Sequence, residues 1–406
     1  MSNAISPELA TERQAVELVP RMEAQGYASS ELHRRREWIE EKTGCILSHV
    51  GAYSIPSEQM RGNIENPIGA AQMPLGVAGP LNVSGAHACG TFYVPMATTE
   101  GALVRSYERG MVLLTRAGGV STCVHLDENR ASPIFTFDGV NEAYDFAQLL
   151  PLYFDRLRTE AEATTLHGKL IRIECHPIGR EVIVNFCFFT GDAQGMNMIV
   201  KATEQACQEI IRLGLARRYY LFSGFCSEKH ASGSLLAGGK GKKVTAGALI
   251  PNQLVKAYLH VTPHHLLDLW QHTILGHLQA NATGYNGHYA NGLAAIFIAC
   301  GQDVANLANS AVGITNFEVT DEGDLYASVT LPSLTVATVG GGTGLGTSGE
   351  CLEMLGCVGH GKAAKLAEII AATLLAGELS IAAAIASGEF VAAHEAYGRN
   401  RPQASA

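Results

Sequence analysis

The sequence has few charged residues, no apolar leader and no long uncharged apolar run, and each absence excludes a class of protein. Charged residues make up 17% of the 406 positions and the formal net charge is −9, so we expect no nucleic-acid partner. The first residues, MSNAISPELATERQ, lack the apolar segment of a signal peptide. No window of 18 uncharged apolar residues occurs, so we expect no membrane span. These features predict a cytoplasmic globular enzyme of two or three domains.

Cysteine and histidine are present, but without the spacing of a metal site. The 10 cysteines are scattered and form no CxxC pair, which is typical of reduced thiols in a cytosolic protein. His264, His265, His272 and His277 lie close together without forming HExxH. We therefore predict no metal, and interpret these histidines as surface or core residues.

The chain divides by composition into three kinds of segment. Residues 7 to about 60 carry alternating acidic and basic residues, which predicts a small N-terminal helical segment. Between about 130 and 220 the β-rich runs IFTF, KLIRIEC and EVIVNFCFF alternate with helical stretches, which predicts a compact α+β insert. Alanine- and leucine-rich segments follow, ending with 363–386, and predict core helices of a larger domain.

Three glycine-rich segments are candidate ligand loops. GDAQGMNM at 191–198 lies between a strand-like and a helix-like run, so its backbone N–H groups could face an anion, or it is an ordinary turn. TVGGGTGLGTSG at 338–349 lacks the lysine of a P-loop and indicates either backbone approach to a ligand or close helix packing. GGKGKK at 238–243 is more simply a solvated charged loop, although Lys240, Lys242 and Lys243 could contact phosphate.

Four ionisable residues stand beside glycines or turn signals, and each has an ordinary structural interpretation. Glu100 follows Thr98 and Thr99, either of which could cap a helix over about 100–117 with Glu100 in its first turn. Lys229 in CSEKH could be a surface amine, Asp303 in CGQD a cap or turn residue, and His394 a surface imidazole. Their spacing alone does not predict that they converge.

Taken together, the motifs resemble the 3-hydroxy-3-methylglutaryl-CoA (HMG-CoA) reductase family from about Glu65 to Arg399. ENPIGAAQMPLGVAGPL is similar to the family's ENxxG…PxGxAGPL segment, and TTEGALVRSYERG to its glutamate-bearing helix start. GDAQGMNM resembles the family's DAMGMN segment and TVGGGTGL its glycine-rich segment. The similarity is greatest to the soluble, biosynthetic class I form. The family reaction is a two-step reduction of the thioester by two NADPH, giving mevalonate and CoA in the isoprenoid pathway.

The resemblance implies four catalytic residues. Glu100, Lys229, Asp303 and His394 match the family's catalytic glutamate, lysine, aspartate and histidine. An ammonium suits the charge that grows on a thioester oxygen, and a neighbouring carboxylate would keep it charged. An imidazole suits protonation of a departing thiolate, and a buried glutamic acid suits protonation of an aldehyde oxygen.

The resemblance also implies binding residues. Those for NADPH are Asp192, Ala193, Gln194, Gly195, Met196, Asn197, Gly340, Gly341, Gly342, Thr343 and Arg399, the last as contact for the 2′-phosphate. Those for substrate or CoA are Glu65, Asn66, Ser106, Arg109, Arg130, Ser223, Lys240, Asn286, His288 and Asn291. Glu228, His230 and His272 depart from the family pattern, which affects contacts with the substrate carboxylate more than the catalytic groups.

The family fold implies an α+β protein with a large domain around a long central helix. The expected parts are an N-terminal helical segment (1–64), a large substrate- and CoA-binding domain (65–130 and 223–390), a ferredoxin-like NADP-binding insert (131–222) and a catalytic tail (391–406). Dimers or dimers of dimers with shared active sites are expected. The alternatives are the same fold oxidising mevalonate with NAD, and a CoA-binding homologue without catalysis.

Overall fold

The computed structural model describes residues 17–21 and 26–389, in two compact units that divide between Gln72 and Met73. The N-terminal unit contains helices α1 (Ser29–Thr43) and α2 (Ser48–Gly51) and a 3-10 turn over Ser57–Met60. Gly44, with a φ of 71°, ends α1 in the left-handed conformation. The buried guanidinium of Arg35 donates to three backbone carbonyls, those of Pro20, Gly26 and Pro67, and so binds the surrounding loops to α1.

The second unit contains all the strands among the described residues. They are β1 (Leu75–Gly85), β2 (Cys89–Ala97), β3 (Val120–Ala131), β4 (Ile134–Thr136), β5 (Lys169–Ile178), β6 (Glu181–Phe189), β7 (Tyr219–Tyr220), β8 (Gly241–Ile250), β9 (Ile314–Val319) and β10 (Leu325–Leu334). Its helices are α3 (Leu103–Arg116), α4 (Val140–Leu149), α5 (Phe154–Glu162), α6 (Met196–Arg212), α7 (Asn252–Leu259), α8 (Pro263–Gln279), α9 (Tyr289–Ala299), α10 (Leu307–Ser310), α11 (Gly346–Met354) and α12 (Ala363–Ala386). This arrangement confirms the predicted mixed α+β class.

Strand β3 joins two regions of one sheet. Residues 121–128 of β3 pair antiparallel with β8, which in turn pairs with β10, and β10 with β9. The end of β3, at Asn129–Ala131, pairs instead with β6, and β6 pairs with β4 and β5. The strand order is therefore β7-β4-β6-β3-β8-β10-β9, with β1 beside β3 and β2 beside β1.

Each region of the sheet has its own apolar core. The larger core packs α3, α9 and α12 against β1, β2, β3, β8 and β10. The smaller core packs α4, α5 and α6 against β4, β5 and β6, within residues 131–216. Burying one large aliphatic or aromatic side chain contributes roughly 1.5–3 kcal/mol, so both cores are substantial.

Helix α12 is the core helix that the sequence predicts over 363–386. By length and composition alone it is the one described helix that could cross a membrane, yet most of it is covered by the other elements of the unit. Helices α3 and α12 approach each other closely because each has a glycine at their contact. A Cβ on Gly110 of α3 would overlap the carbonyl of Ala376, and one on Gly377 would lie 2.5 Å from the ring of Tyr107.

Candidate active site

Lys229 and Asp303 form an ion pair with Nζ and Oδ2 2.8 Å apart. Lys229 stands in the loop after β7 with a φ of 59°, and Asp303 begins a 3-10 turn after α9, where its other oxygen accepts from the N–H of Ala305. The hydrogen bond to Asp303 raises the pKa of Lys229 above its usual value. The side chains are 44% and 37% exposed, so a ligand can reach the ammonium.

A cluster of buried polar side chains adjoins this ion pair. The Glu228 carboxylate pairs with the ammonium of Lys240, and its Oε1 accepts from Gln194 at 3.2 Å and from Asn306 at 3.1 Å. Gln194 also donates to Asn306 at 2.6 Å. Glu228 and Asn306 are close to Lys229 and Asp303 in sequence, so the cluster connects the loops of the ion pair to the turn that follows β6.

Lys240 is fully buried, which corrects the interpretation of GGKGKK as a solvated loop. Burial lowers the pKa of Lys240, although Glu228 favours its charged form. Lys242 is also buried and pairs with Asp127 at 2.9 Å. The interpretation was wrong because Lys240 meets Glu228 and Met196 Sδ, the latter at 3.0 Å, and because the strand β8 that follows it begins already at Gly241.

The turn between β6 and α6 is fastened to the start of α12. The Asp192 carboxylate accepts from the backbone N–H groups of Gly361, Lys362 and Ala363 at 2.7, 3.0 and 3.0 Å. Burial opposes ionisation of Asp192, but these three donors outweigh it and lower the pKa. Asp192 thus caps α12 and fixes the turn, while its contact with a cofactor stays a prediction.

The two predicted nucleotide segments lie side by side, with room for a ligand. The N–H groups of Thr338 and Val339 donate to the carbonyl of Asp192 at 2.9 and 3.3 Å. Gly340 and Gly341 have positive φ, and a Cβ on either would meet no atom within 4 Å. A Cβ on Gly301 would overlap the carbonyl oxygen of Gly342, so this loop packs against the one that carries Asp303.

Helix α6 begins at Met196, inside GDAQGMNM and slightly before the helix-like run that the sequence indicates, and has no side-chain cap. Gly195 has a φ of 77°, and a Cβ there would lie 2.7 Å from Thr190. An uncapped helix start next to an open glycine loop suits a diphosphate. Other residues predicted to bind the nucleotide lie in the same two segments. The carbonyl of Ala193 accepts from Thr190, and the carbonyl of Gln194 accepts from Asn129. Asn197 is exposed, and the hydroxyl of Thr343 donates to the carbonyl of Gly340.

Glu100 and Asn291 form a second polar pair, in which Asn291 Nδ2 donates to Glu100 Oε2 at 2.8 Å. The predicted helix cap at Thr98 or Thr99 was wrong. Ala102 has a φ of 71°, so α3 begins only at Leu103 and Glu100 precedes it. Thr98 accepts instead from the N–H of Glu100 at 3.0 Å. Glu100 consequently precedes the helix and lines a groove with its carboxylate exposed, so the burial expected of a proton-donating glutamic acid is not found within one chain.

That groove has a volume of about 720 Å³, and its wall includes several predicted substrate residues. Ser106 and Arg109 of α3 both bond Ser380 of α12, at 3.0 Å each. His288 and Asn291 line the groove from the start of α9. The structure therefore brings Glu100, Ser106, Arg109, His288 and Asn291 together.

Arg130, Ser223 and Asn286 have different surroundings. Arg130 is buried at the end of β3, and its Nε and Nη2 have no hydrogen-bond partner in the part of the chain that the structure describes. An unpartnered buried guanidinium suits an anionic ligand. Ser223 donates to the carbonyl of Ser132 at 2.6 Å, and Asn286 to those of Ala311 and Gly313, so both hold loops.

The site residues fall into two groups within one chain. Among residues 17–21 and 26–389, no hydrogen bond or ion pair joins Lys229 or Asp303 to Glu100 or Asn291. Glu65 and Asn66 lie in the N-terminal unit, and Asn66 has a φ of 49°. His394 and Arg399 lie outside the described residues. Within those that are described, no cluster of His, Cys, Asp or Glu has the arrangement of a metal site.

Several residues of the site escaped the sequence analysis. Glu378 and Ser380 of α12, Tyr107 of α3 and Asn306 were not predicted. The signal for Glu378 was available, because it is one of few charged residues in the apolar run 363–386. An acidic residue in a buried helix costs free energy unless it is hydrogen-bonded, and so indicates a partner.

Comparisons with known proteins agree with this geometry. A family model described as hydroxymethylglutaryl-coenzyme A reductase matches residues 31–399. Proteins named 3-hydroxy-3-methylglutaryl-coenzyme A reductase from Methanothermobacter thermautotrophicus and Methanocaldococcus jannaschii are each 44% identical, over 90% of this chain and 92% of theirs. A class II reductase structure from Streptococcus pneumoniae, bound to NADPH, has a TM-score of 0.66 at 19% identity and covers 90% of this chain and 100% of its own.

Proposed function

We propose, from the premise that this chain belongs to the hydroxymethylglutaryl-coenzyme A reductase family, how its residues reduce HMG-CoA to mevalonate and CoA. The family resemblance of the motifs is confirmed by a family match that spans residues 31–399. The observation that carries the assignment of roles is the Lys229–Asp303 pair, joined through Glu228 and Asn306 to the turn at Gln194.

Two NADPH molecules, bound one after the other, would each supply one hydride. The open glycine loop at Gly340–Gly341 and the uncapped start of α6 fit the NADPH diphosphate. Gly195 and Gln194 shape that end of the pocket, while Asp192 holds the turn against α12. Arg130 offers an unpartnered buried cation to the carboxylate end of the substrate.

Each protein group has a separate task in the reduction. The ammonium of Lys229 stabilises the negative charge that develops on the thioester oxygen, and Asp303 keeps that ammonium charged and directed. His394 protonates the departing CoA thiolate, so that free CoA thiol leaves. Glu100 gives its proton to the oxygen of the aldehyde as it becomes the alcohol, and Asn291 orients Glu100.

The active site is completed by two copies of the chain. This proposal rests on the two separate groups: Lys229 with Asp303, and Glu100 with Asn291. Mixed dimers of Glu100→Gln and Lys229→Ala chains should recover up to about a quarter to a half of wild-type activity, since one of the two shared sites is intact in each heterodimer. If heterodimers of verified composition have no activity, the active site is formed within one chain.

We also propose the class I form and a preference for NADPH over NADH. The chain is more similar in sequence to the archaeal relatives than to the class II streptococcal enzyme. Arg399, whose guanidinium suits a 2′-phosphate, supports NADPH. Arg399→Ala should raise KM for NADPH much more than KM for NADH, and an equal rise would reject this role.

The experiment that tests the function is turnover of the purified protein. NADPH oxidation is followed on addition of HMG-CoA, and the product is identified as mevalonate by mass. The same assay with NADH, and in reverse with mevalonate, CoA and NAD, distinguishes the oxidative alternative. A folded protein that binds CoA but consumes no NADPH would be the non-catalytic homologue.

A further inference from the structure

Glu378 is a fully buried carboxylate in the middle of α12, directly behind the groove at Glu100. Four donors surround it: the N–H groups of Gly287 and His288 at 2.7 and 2.8 Å, His288 Nδ1 at 3.0 Å, and Thr315 Oγ1 at 2.6 Å. Burial opposes its ionisation, but His288 and these donors outweigh burial and lower the pKa of Glu378. The group is an ionised carboxylate that accepts every one of these bonds.

Because an ionised carboxylate can only accept, the proton between Glu378 and His288 belongs to Nδ1 of the imidazole. The ring is also held by Tyr107, which stacks on it with centroids 5.3 Å apart and planes inclined by 29°. His288 therefore has one orientation, in which Nδ1 is bonded to Glu378 and Nε2 is the remaining ring nitrogen.

That Nε2 is buried and has no hydrogen-bond partner in the described part of the chain. His288 lines the groove beside Glu100 and Asn291, and the N–H of Asn291 donates to its carbonyl at 3.1 Å. A buried ring nitrogen without a partner next to a ligand groove indicates a hydrogen-bonding group on the ligand.

We propose that Glu378 is a positioning residue, which fixes His288 so that Nε2 accepts a hydrogen bond from an N–H or O–H of the ligand in the groove. The amide N–H groups of an acyl-CoA carrier arm have the required chemistry. The proposal rests on the proposed reductase function only for the identity of that ligand. Ser380, two residues along α12, holds Ser106 and Arg109 on the same wall.

The first test is a measurement on the unaltered protein. In enzyme labelled with ¹⁵N-histidine, the two ring nitrogens of His288, assigned by comparison with His288→Ala, report the tautomer at neutral pH. We expect protonated Nδ1 and bare Nε2, with a shift at Nε2 when desulfo-CoA is added. A proton on Nε2 in the free enzyme would overturn the proposal, and so would an Nε2 signal unchanged by saturating ligand.

The second test is Glu378→Gln. The amide retains the shape of the side chain but can donate to Nδ1, which would move the ring proton to Nε2 and remove the acceptor from the groove. We expect kcat/KM for the acyl-CoA to fall about 10- to 100-fold, chiefly through KM, with KM for NADPH changed less than about twofold. In a His288→Ala background the same change should cause no further loss.

Glu368→Gln is the matched control. Glu368 is buried in the same helix and accepts from the N–H groups of His87 and Ala88, away from the groove. Its variant should keep wild-type kcat/KM. Equal losses in Glu368→Gln and Glu378→Gln, or additive losses in the double variant with His288→Ala, would reject positioning. Failure of the reductase assay with wild-type protein would refute the function, whereas the tautomer and desulfo-CoA shift are measured without turnover.

Discussion

Replacing Lys229 with glycine should abolish catalysis while leaving stability almost unchanged. Lys229 has a φ of 59°, a conformation that costs a residue with a Cβ about 1–2 kcal/mol. Its ion pair with Asp303 is 2.8 Å long but 44% and 37% exposed, so it contributes only about 0–1 kcal/mol. Glycine loses the ion pair and relieves the backbone strain. The free energy of unfolding should therefore change by less than about 1 kcal/mol.

Alanine makes the comparison sharper, because it keeps the Cβ and the strain while losing the ion pair. Lys229→Ala should be less stable than Lys229→Gly by about 1 kcal/mol. Both variants should lose at least about 100-fold in kcat, the scale of one lost oxyanion donor. Urea unfolding and NADPH oxidation at saturating HMG-CoA measure the two quantities separately.

Lys201→Ala is the control, since Lys201 is an exposed lysine on α6. It should change neither the rate nor the midpoint of unfolding. Near-normal turnover by folded Lys229→Gly would refute the oxyanion role of the ammonium. A loss of more than about 3 kcal/mol in that variant would refute the account of strain.

Four further predictions concern other residues. Asp303→Asn removes the carboxylate that raises the pKa of Lys229, so the alkaline limb of the kcat/KM profile should move to lower pH; an unmoved limb would show that Lys229 does not set it. Asp192→Asn should cost about 1–2 kcal/mol at pH 7. Because the folded pKa is lowered, this contribution is present above the unfolded pKa and disappears as pH falls through the folded one, which urea titrations at several pH values can check. Gly110→Ala should destabilise the protein by about 1–3 kcal/mol, because the added Cβ would overlap Ala376 of α12. Gly276→Ala, where the Cβ meets no atom on α8, should stabilise it by about 0.5–1 kcal/mol. Equal shifts of the two melting temperatures would contradict this. His394→Ala should cripple reduction of the thioester yet largely spare reduction of added mevaldehyde; parallel losses in the two half-reactions would mean that His394 only packs the tail.

The sequence was most informative where the structure depends on local pattern. The bounds of α12, the strand–turn–helix at GDAQGMNM and the β-rich insert all follow from periodicity and glycine placement. The site was predictable mainly through motif resemblance, because nothing in spacing brings Lys229 and Asp303 together. Their contact depends on loops after β7 and α9, which are separated by 74 positions in the sequence.

The errors arose where long-range pairing decides the environment. Lys240 was interpreted as solvated because GGKGKK looks like a loop, whereas its ammonium is buried against Glu228 and Met196, which are distant in sequence. Glu100 was placed in a helix because Thr98 and Thr99 look like helix caps. The left-handed conformation of Ala102 prevents the helix from beginning before Leu103. The apolar run around Glu378 indicates that this carboxylate has a hydrogen-bond partner. The sequence does not identify that partner as His288, since the two residues are 90 positions apart.

The cap that Asp192 places on α12 gives the protein a shared cooperative unit. The amides of Gly361, Lys362 and Ala363 donate to a side chain of the 190–195 turn, so they should be protected from solvent exchange. The first turn of α12 therefore cannot fray without releasing that turn, and the turn cannot open without exposing the helix end. At 1.5 Å per residue, Glu378 and Ser380, which bond the groove residues His288, Ser106 and Arg109, lie about 23 and 26 Å along α12 from that cap. Opening of the 190–195 turn therefore also requires the start of α12 to open. It should consequently be a rare, high-energy fluctuation.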